Sequence, residues 1–144
     1  MGTVRAEIEI DAPAERIFDI LTDLKSYPEW NPFTPRVEST LRPGDPVHLF
    51  VRLRGKRLSH WVEYVSRNQR PTHLCWGTTI GAGFLLRAER CQTLTAIDAR
   101  RTRFVNEDVI RGWLAPLVMI AFGRDMQRGF ASVATALKKR AESN

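Results

Sequence analysis

Two polar residues, Arg90 and Gln92, lie in phase with the apolar face of a predicted strand. The apolar residues of this segment alternate with a period of two, and they are Phe84, Leu86, Ala88, Leu94 and Ala96. The same inward face therefore carries Arg90 and Gln92. Because an unpaired buried charge is strongly unfavourable, we expect Arg90 either to be paired within the protein or to bind an acidic group of a ligand with its fork of donors.

A second pair of polar residues, Asn106 and Asp108, depends on the phase of the next strand. They face inward if the apolar Phe104 and Ile110 do. The opposite phase would bury Val105, Glu107 and Val109 instead. In the first phase, Arg90 pairs with Asp108 within a structural polar network, or the polar residues of both strands bind the polar end of a ligand. Both arrangements hold together if a ligand completes the network.

Large apolar side chains would form the walls and mouth of a pocket around these polar groups. Aromatic rings supply large contact areas, and methionine thioethers adapt to different ligand shapes. The residues are Trp30, Phe33, Trp76, Phe104, Met119, Phe122 and Met126. The alternative for each of them is packing within a filled core.

Motifs of metal-dependent or nucleophilic catalysis are lacking. His48, His60 and His73 form neither an HxH nor an HExxH spacing, so we expect no metal and no cofactor. There is no GxSxG motif and no phosphate-binding glycine loop. Cys75 and Cys91 lie in apolar surroundings without a CxxC spacing, which predicts small buried hydrophobes with no redox or zinc-binding role.

The composition is typical of a folded soluble protein, with 43% hydrophobic and 26% charged residues in a chain of 144. Lys and Arg number 22 against 16 for Asp and Glu, which gives a net charge of +6. The basic clusters at 52–57 and 100–103 are not interleaved with aromatic residues, so we expect no nucleic acid partner. A transient contact with an anionic membrane surface fits this charge better. Without an apolar leader or a membrane-spanning stretch, we expect a cytoplasmic protein.

Seven strands are predicted. Alternating charged and apolar residues mark the first strand at 4–10, and turn clusters separate six further strands between Val37 and Ile110. Their short connections favour an antiparallel meander. The spacing of apolar residues in the third of these strands predicts a β-bulge near Glu63 or Tyr64, which would bend the sheet.

Short helices are predicted after the first strand, and one long helix ends the chain. Asp11 is the expected cap of the first helix, Pro13 suits its first turn, and a compact second helical turn lies within 25–36. The helix at 115–141 is amphipathic in its second half, which covers a sheet. Its first half, 117–122, is apolar on every side, so it borders a cavity or a homodimer contact.

Four passages, in this order, resemble one family. They are 10–18 (IDAPAERIF), 24–32 (LKSYPEWNP), 74–76 (LCW) and 112–117 (GWLAPL), and Gly129-Phe130 and Ala136-Leu137-Lys138 follow in the last helix. The chain resembles the START-like, or helix-grip, superfamily, and within it the bacterial polyketide cyclase/dehydrase and lipid-transport family. The resemblance implies a single α+β domain over 1–144. Its curved seven-stranded antiparallel sheet would wrap around the long C-terminal helix, with two short helices after the first strand.

The resemblance implies a cavity between the sheet and the last helix. We expect binding or transport of a small hydrophobic or amphipathic ligand, such as a lipid, a polyketide or an aromatic molecule, oriented by Arg90, Gln92, Asn106 or Asp108. The alternative is a polyketide aromatase/cyclase that positions its substrate, with Asp108 or Glu107 assisting enolisation and dehydration. A third interpretation, an interaction protein that presents a charged edge, predicts a filled core.

Overall fold

A computed structural model describes residues 1–143. Its helices and strands are, in chain order, β1 (Gly2–Ile10), α1 (Ala14–Thr22), α2 (Tyr27–Trp30), β2 (Arg36–Glu38), β3 (Pro46–Val51), β4 (Ser59–Gln69), β5 (His73–Ile80), β6 (Leu86–Asp98), β7 (Arg101–Arg111) and α3 (Ala115–Glu142). Neighbouring strands are antiparallel, in the order β1-β7-β6-β5-β4-β3-β2. This curled seven-stranded sheet with a long C-terminal helix confirms the predicted fold.

The strands β1 and β2 form the two edges of the sheet. β1 pairs with β7 along its whole length, from Gly2 opposite Ile110 to Ile10 opposite Thr102. Residues 11–35 must therefore carry the chain from one edge of the sheet to the other. The helix α1 in this connection buries its apolar side chains in the core, and these are Ile17, Phe18 and Leu21.

The helix α3 packs chiefly against β1 and covers the inward face of the sheet. The stripe predicted for its second half is buried, and it consists of Phe130, Val133, Ala134, Leu137 and Ala141. Apolar residues at this spacing lie on one side of a helix, so the sheet and α1 can cover all of them at once. This half of α3 closes the core.

The first half of α3 is more exposed than expected. Leu117 is 63% exposed and Ile120 is 84% exposed, and Trp113, just before the helix, is 79% exposed. The sheet lies along only one side of this half, so the described chain does not surround it with apolar neighbours. Among residues 1–143, no helix is long and apolar enough to cross a membrane.

The bulge in β4 lies farther along the strand than predicted. The register of β4 against β5 shifts between Val65 and Arg67. Trp61, Glu63 and Val65 therefore share the inward face, whereas Val62 is 40% exposed. The prediction near Glu63 or Tyr64 was wrong because it assumed that Val62 and Val65 both face the core.

The expected cap of α1 is also different. Pro13 occupies the N-cap position in an extended conformation, and no side chain caps the helix. Asp11 instead forms an ion pair at 3.4 Å with Arg101 of β7. The Asp11 carboxylate thus pairs with an arginine of β7 and does not cap the helix.

The two cysteines form a disulfide between β5 and β6, which corrects the prediction of two separate buried thiols. Cys75 and Cys91 are directly opposite each other in the register, and their Cα atoms are 4.1 Å apart. Side chains that are opposite on neighbouring strands lie on the same face, so their sulfur atoms can meet. The sequence separation of 16 residues did not reveal this register.

Candidate functional site

A cavity of about 230 Å³, which we call the inner cavity, lies between the sheet and α3. Strands β3 to β7 form one wall, and α3 together with the segment after α2 forms the other. The lining residues are Phe33, Leu49, Val51, Leu53, Trp61, Glu63, Thr78, Leu86, Ala88, Arg90, Asp108, Ile110, Val118, Phe122, Met126 and Phe130. The lining is apolar except for Glu63, Thr78, Arg90 and Asp108. Trp61 lines the cavity and is 45% exposed, so the cavity opens to solvent beside it.

The polar wall of the inner cavity comes from the inward faces of β6 and β7. Arg90 and Gln92 are buried on β6, as their phase predicted. Asn106 and Asp108 are buried on β7, so the phase that places Phe104 inside is the one present. The register brings Arg90 directly opposite Asp108.

Arg90 is hydrogen-bonded to Asn106 rather than to Asp108. Its Nε donates to Oδ1 of Asn106 at 2.9 Å. Its guanidinium carbon lies 4.7 Å from the centroid of the Phe130 ring and 5.6 Å from that of Trp76, so aromatic faces also stabilise the buried cation. Burial lowers the pKa of Arg90, and the Asp108 carboxylate opposes this effect. The predicted Arg90–Asp108 pair is therefore corrected to an Arg90–Asn106 hydrogen bond.

Asp108 has a free acceptor in the wall of the inner cavity. Its Oδ1 is buried and has no hydrogen-bond partner in the described chain. Burial raises the pKa of Asp108 to about 6; Arg90 opposes this rise and Glu89 adds to it. A carboxyl group with this pKa exchanges its proton close to neutral pH.

Glu63 is a second carboxyl group of the inner cavity, and the sequence did not predict it. Burial and the nearby Asp108 raise the pKa of Glu63 to about 7, and Arg90 opposes the rise. Two carboxylates near one guanidinium cannot both be fully neutralised, so protonation of one favours ionisation of the other. The signal was present in the alternation of Trp61, Glu63 and Val65, but the misplaced bulge obscured it.

Five of the predicted site residues line the inner cavity, namely Phe33, Arg90, Asp108, Phe122 and Met126. Six others lie outside its lining, namely Trp30, Trp76, Gln92, Phe104, Asn106 and Met119. Gln92, Phe104 and Trp76 are buried core residues. Met119 faces β1, where it packs against Gly2. The alternation along each strand therefore identified which residues face the core. Their position along the strand decides which of them line the inner cavity.

The inner cavity combines an apolar surface with a small set of polar groups. The guanidinium of Arg90 donates, Oδ1 of Asp108 accepts, and both carboxyl groups can change protonation near neutral pH. Such a site can orient a small amphipathic molecule, and its carboxyl groups can exchange protons with it. In the described residues, no three His, Cys, Asp or Glu side chains are grouped closely enough to hold a metal ion.

One family model matches residues 1–142, and its description is polyketide cyclase/dehydrase and lipid transport. None of the curated proteins matches the chain in sequence.

Solved structures share the fold at low sequence identity. A protein of Thermus thermophilus matches with a TM-score of 0.71 and 19% identity, over 97% of each chain. An aromatase/cyclase of Streptomyces sp. R1128 matches with a TM-score of 0.69 and 18% identity, over 99% of this chain and 96% of that one. A START superfamily protein of Mycobacterium smegmatis matches with a TM-score of 0.68 and 20% identity, over 97% of each chain.

Proposed function

Because the chain belongs to the polyketide cyclase/dehydrase and lipid transport family, we propose that it binds a small amphipathic molecule in the inner cavity. The apolar part of the ligand lies between the sheet and α3, and its polar end lies beside Arg90 and Asp108. The observation that carries this proposal is the unpartnered Oδ1 of Asp108 in the cavity wall. A buried acceptor without a partner is unfavourable, and a hydroxyl or phenol of the ligand would supply the missing donor.

Two probes of nearly the same shape test this proposal, 2-naphthol and naphthalene. Only 2-naphthol can donate to Asp108 or approach Arg90 with an oxygen atom. We expect 2-naphthol to bind more tightly, and Arg90→Met to weaken it by about tenfold, as expected for a charge-assisted hydrogen bond. Naphthalene should bind Arg90→Met and the unchanged protein equally, which also shows that the variant is folded. Binding is measured by quenching of tryptophan fluorescence.

A matched variant, Arg103→Met, removes an exposed guanidinium on the same sheet. Arg103 lies outside the inner cavity and its side chain is 46% exposed. Arg103→Met should leave the affinities for 2-naphthol and for naphthalene unchanged. Equal binding of 2-naphthol to Arg90→Met and to the unchanged protein would contradict the polar role of Arg90.

The second candidate function is a polyketide cyclase/dehydrase. The specific observation in its favour is the pair Asp108 and Glu63, whose pKa values of about 6 and 7 suit proton transfer near neutral pH. The ionised carboxyl would accept a proton from a methylene between two carbonyls, and the resulting enolate carbon would bond to another carbonyl carbon of the same chain, whose oxygen takes a proton from the protonated carboxyl and becomes a hydroxyl. Loss of the second proton of the same carbon to a carboxylate, with protonation of this hydroxyl by the other carboxyl, then forms the C=C bond and releases water. Glu107, the other acid suggested by the sequence, faces away from the cavity and pairs with Arg5 at 3.3 Å.

This enzymatic candidate predicts different effects for neighbouring acids of β7. With a β-polyketone thioester as substrate, Asp108→Asn should abolish the acceleration of dehydration, whereas Glu107→Gln should retain it. The product is followed by its ultraviolet absorbance. A rate no faster than that of the free thioester in buffer would leave ligand binding as the function.

We further propose that the protein takes up its ligand at an anionic membrane surface. Exposed apolar residues, including Trp113, Leu117 and Ile120, lie next to the cavity-lining Val118 and Phe122. Three segments around them, 52–61, 78–87 and 111–124, carry no acidic residue and seven basic ones, which are Arg52, Arg54, Lys56, Arg57, Arg87, Arg111 and Arg124. Basic residues around exposed apolar side chains fit a negatively charged interface. A homodimer through the same patch would bring like charges together.

A further inference from the structure

A second, more open space adjoins the inner cavity. This outer groove, of about 620 Å³, lies between the second half of α3 and the segments 32–33 and 52–55. Its polar lining includes Arg52, Arg54 and Arg128. None of these arginines lines the inner cavity. The outer groove is therefore a polar site that lies beside the largely apolar inner cavity.

Positive charge dominates the outer groove. Among its lining residues are three guanidinium groups and one carboxylate, that of Asp125, so the net charge of the lining is +2. Asp125 accepts from Nε of Arg54 at 2.7 Å and from a terminal nitrogen of Arg128 at 2.6 Å. These two bonds hold the pKa of Asp125 below its ordinary value, so it stays ionised.

The same contacts orient the arginines without using all of their donors. Arg54 also donates to the carbonyl of Ala121 at 2.6 Å, and Arg52 donates to the carbonyl of Pro32 at 3.1 Å. Each guanidinium has five N–H donors, so Arg52 and Arg128 each retain several for a ligand. Guanidinium groups held in place lose less side-chain entropy when they bind an anion.

The outer groove and the inner cavity share two wall residues, Phe33 and Leu53. The Phe33 ring lies on the backbone of α3 at Gly129, where any larger side chain would overlap it. Ligand pockets usually measure roughly 300 to 1,000 Å³, and the inner cavity is smaller than this. A ligand of ordinary size would therefore extend beyond the inner cavity, and the outer groove adjoins the cavity at Phe33 and Leu53.

We propose that the outer groove binds the phosphate group of a ligand whose apolar chain occupies the inner cavity. The proposal rests on the proposed binding function and names the class of ligand as phosphate-bearing amphipathic molecules. A phosphate monoester carries a charge of about −2 and several acceptor oxygens, which complement the excess positive charge and the free guanidinium donors. The phosphate has two chemical sources, a single-chain phospholipid or an acyl chain linked to phosphopantetheine.

Octyl phosphate and 1-octanol form the matched probe pair, and both are measured by displacement of 2-naphthol. We expect octyl phosphate to bind at least about tenfold more tightly at low salt, because charge-assisted hydrogen bonds to phosphate are added. Raising the salt from about 50 to 500 mM should remove most of this preference through screening. The affinity for 1-octanol should not fall.

The double variant Arg52→Gln/Arg128→Gln should reduce the preference for octyl phosphate to about unity, because the net charge of the lining falls from +2 to zero and the two guanidinium groups with the most free donors are gone. Its affinity for 1-octanol should remain that of the unchanged protein. The control Arg67→Gln/Arg100→Gln removes two exposed arginines outside the groove, with the same change in net charge, and should keep the preference. Arg54 is left in place because it anchors Asp125.

Two further probes distinguish the sources of the phosphate. Octanoyl lysophosphatidic acid represents the single-chain phospholipid, and S-octanoyl-4′-phosphopantetheine represents the acyl chain linked to phosphopantetheine. The probe that binds more tightly, and loses its advantage in Arg52→Gln/Arg128→Gln, identifies the source.

Three results would overturn the proposal. If 1-octanol binds but octyl phosphate binds no better, the phosphate site is refuted while the proposed binding function stands. If the control variant loses the preference as fully as the groove variant does, general positive charge explains the result instead. If neither octyl compound displaces 2-naphthol, binding of alkyl chains in the inner cavity fails together with this inference.

Discussion

Three ionisable side chains, Arg90, Asp108 and Glu63, determine the chemistry of the inner cavity. Arg90 opposes the rise in pKa that burial causes in both carboxyl groups. Arg90 thus keeps the pKa values of Asp108 and Glu63 close to neutral pH, so neither carboxyl group is fully protonated there. In the proposed function, the guanidinium acts on the ligand both directly and through the protonation of its neighbours.

Removal of Arg90 should raise both pKa values further. In Arg90→Gln, we expect Asp108 to titrate above its present pKa of about 6 and Glu63 above about 7, because the opposing positive charge is lost. Carbon-13 NMR of the side-chain carboxyl groups measures both values. Arg103→Gln, on the outer side of β7, should leave them unchanged; pKa values that stay the same in Arg90→Gln would contradict this electrostatic account.

Protein stability should fall as the pH rises from about 4 to about 7. The folded-state pKa of Asp108 is about 6 against an ordinary value of 3.8, and that of Glu63 is about 7 against 4.5. The folded state therefore retains protons that the unfolded chain has released. This stabilisation is complete below the ordinary values and is lost as the pH passes through the raised ones.

Asp108→Asn provides the check, because asparagine does not titrate. Urea unfolding between pH 4.5 and pH 7.5 should show a smaller loss of unfolding free energy for the variant, by about 2 kcal/mol, the order expected from a shift of this size. The pKa values of Asp125 and Glu142 are lowered in the folded protein, so these two groups make the unfolding free energy rise with pH. Because the values are lowered, this rise falls at pH values below the measured range. Identical pH profiles for Asp108→Asn and the unchanged protein would refute the assignment.

Among the elements, α3 has two glycines in contrasting surroundings. A Cβ at position 129 would overlap the ring of Phe33, whereas a Cβ at position 123 would meet only the flexible Cε of Met119 at 3.3 Å. Gly129 therefore allows Phe33 to lie on the helix between the inner cavity and the outer groove. The close approach of the Phe33 ring to the helix, and not helix propensity, explains why residue 129 is a glycine.

Gly129→Ala should destabilise the protein by about 1–3 kcal/mol through overpacking, even though alanine favours a helix. Gly123→Ala is the matched control in the same helix, and it should be neutral or stabilising by up to about 1 kcal/mol. Thermal unfolding followed by circular dichroism measures both. Phe33→Leu should relieve part of the cost of Gly129→Ala; if Gly129→Ala proves as stable as Gly123→Ala, the contact with Phe33 is not a constraint.

Local alternation in the sequence predicted the elements well. The inward phase of Arg90 and Gln92 followed from Leu94 on the same strand, and the long helix followed from the period of its second half. Contacts between distant segments were not predictable, because register and packing decide them. Arg54 meets Asp125 across 71 residues, and Cys75 meets Cys91 only because β5 and β6 pair in one particular register. The same holds for Glu63, whose inward position depends on where the bulge interrupts β4.

For the whole molecule, the net charge of +6 is unevenly distributed. Salt bridges connect β1 with β7, as between Arg101 and Glu9 at 2.7 Å, whereas the segments 52–61, 78–87 and 111–124 carry no acidic residue. The seven basic residues of these three segments, together with the exposed Trp113 and Ile120, are the amphipathic surface that we propose for membrane contact.

This surface should bind anionic vesicles. We expect the protein to sediment with vesicles of phosphatidylglycerol but not with phosphatidylcholine alone, and to be released by high salt. The double variant Trp113→Ser/Ile120→Ser should weaken binding by at least about tenfold, because burial of each side chain contributes roughly 1.5–3 kcal/mol. Ile97→Ser, which changes an apolar residue that is 41% exposed at the far end of β6, is the control. A homodimer that the double variant dissociates, without vesicle binding, would contradict the membrane role.

The pairing of β1 with β7 also has a consequence during synthesis on the ribosome. Gly2 pairs with Ile110, so the first strand has no partner until nearly the whole sheet has been translated. At a typical rate of about 5–20 residues per second, β1 waits for several seconds as an open strand. Its charged residues Arg5, Glu7 and Glu9 face outward on every second position and oppose pairing with other nascent chains. The edge of the sheet at which β1 joins β7 is therefore among the last parts of the sheet to form.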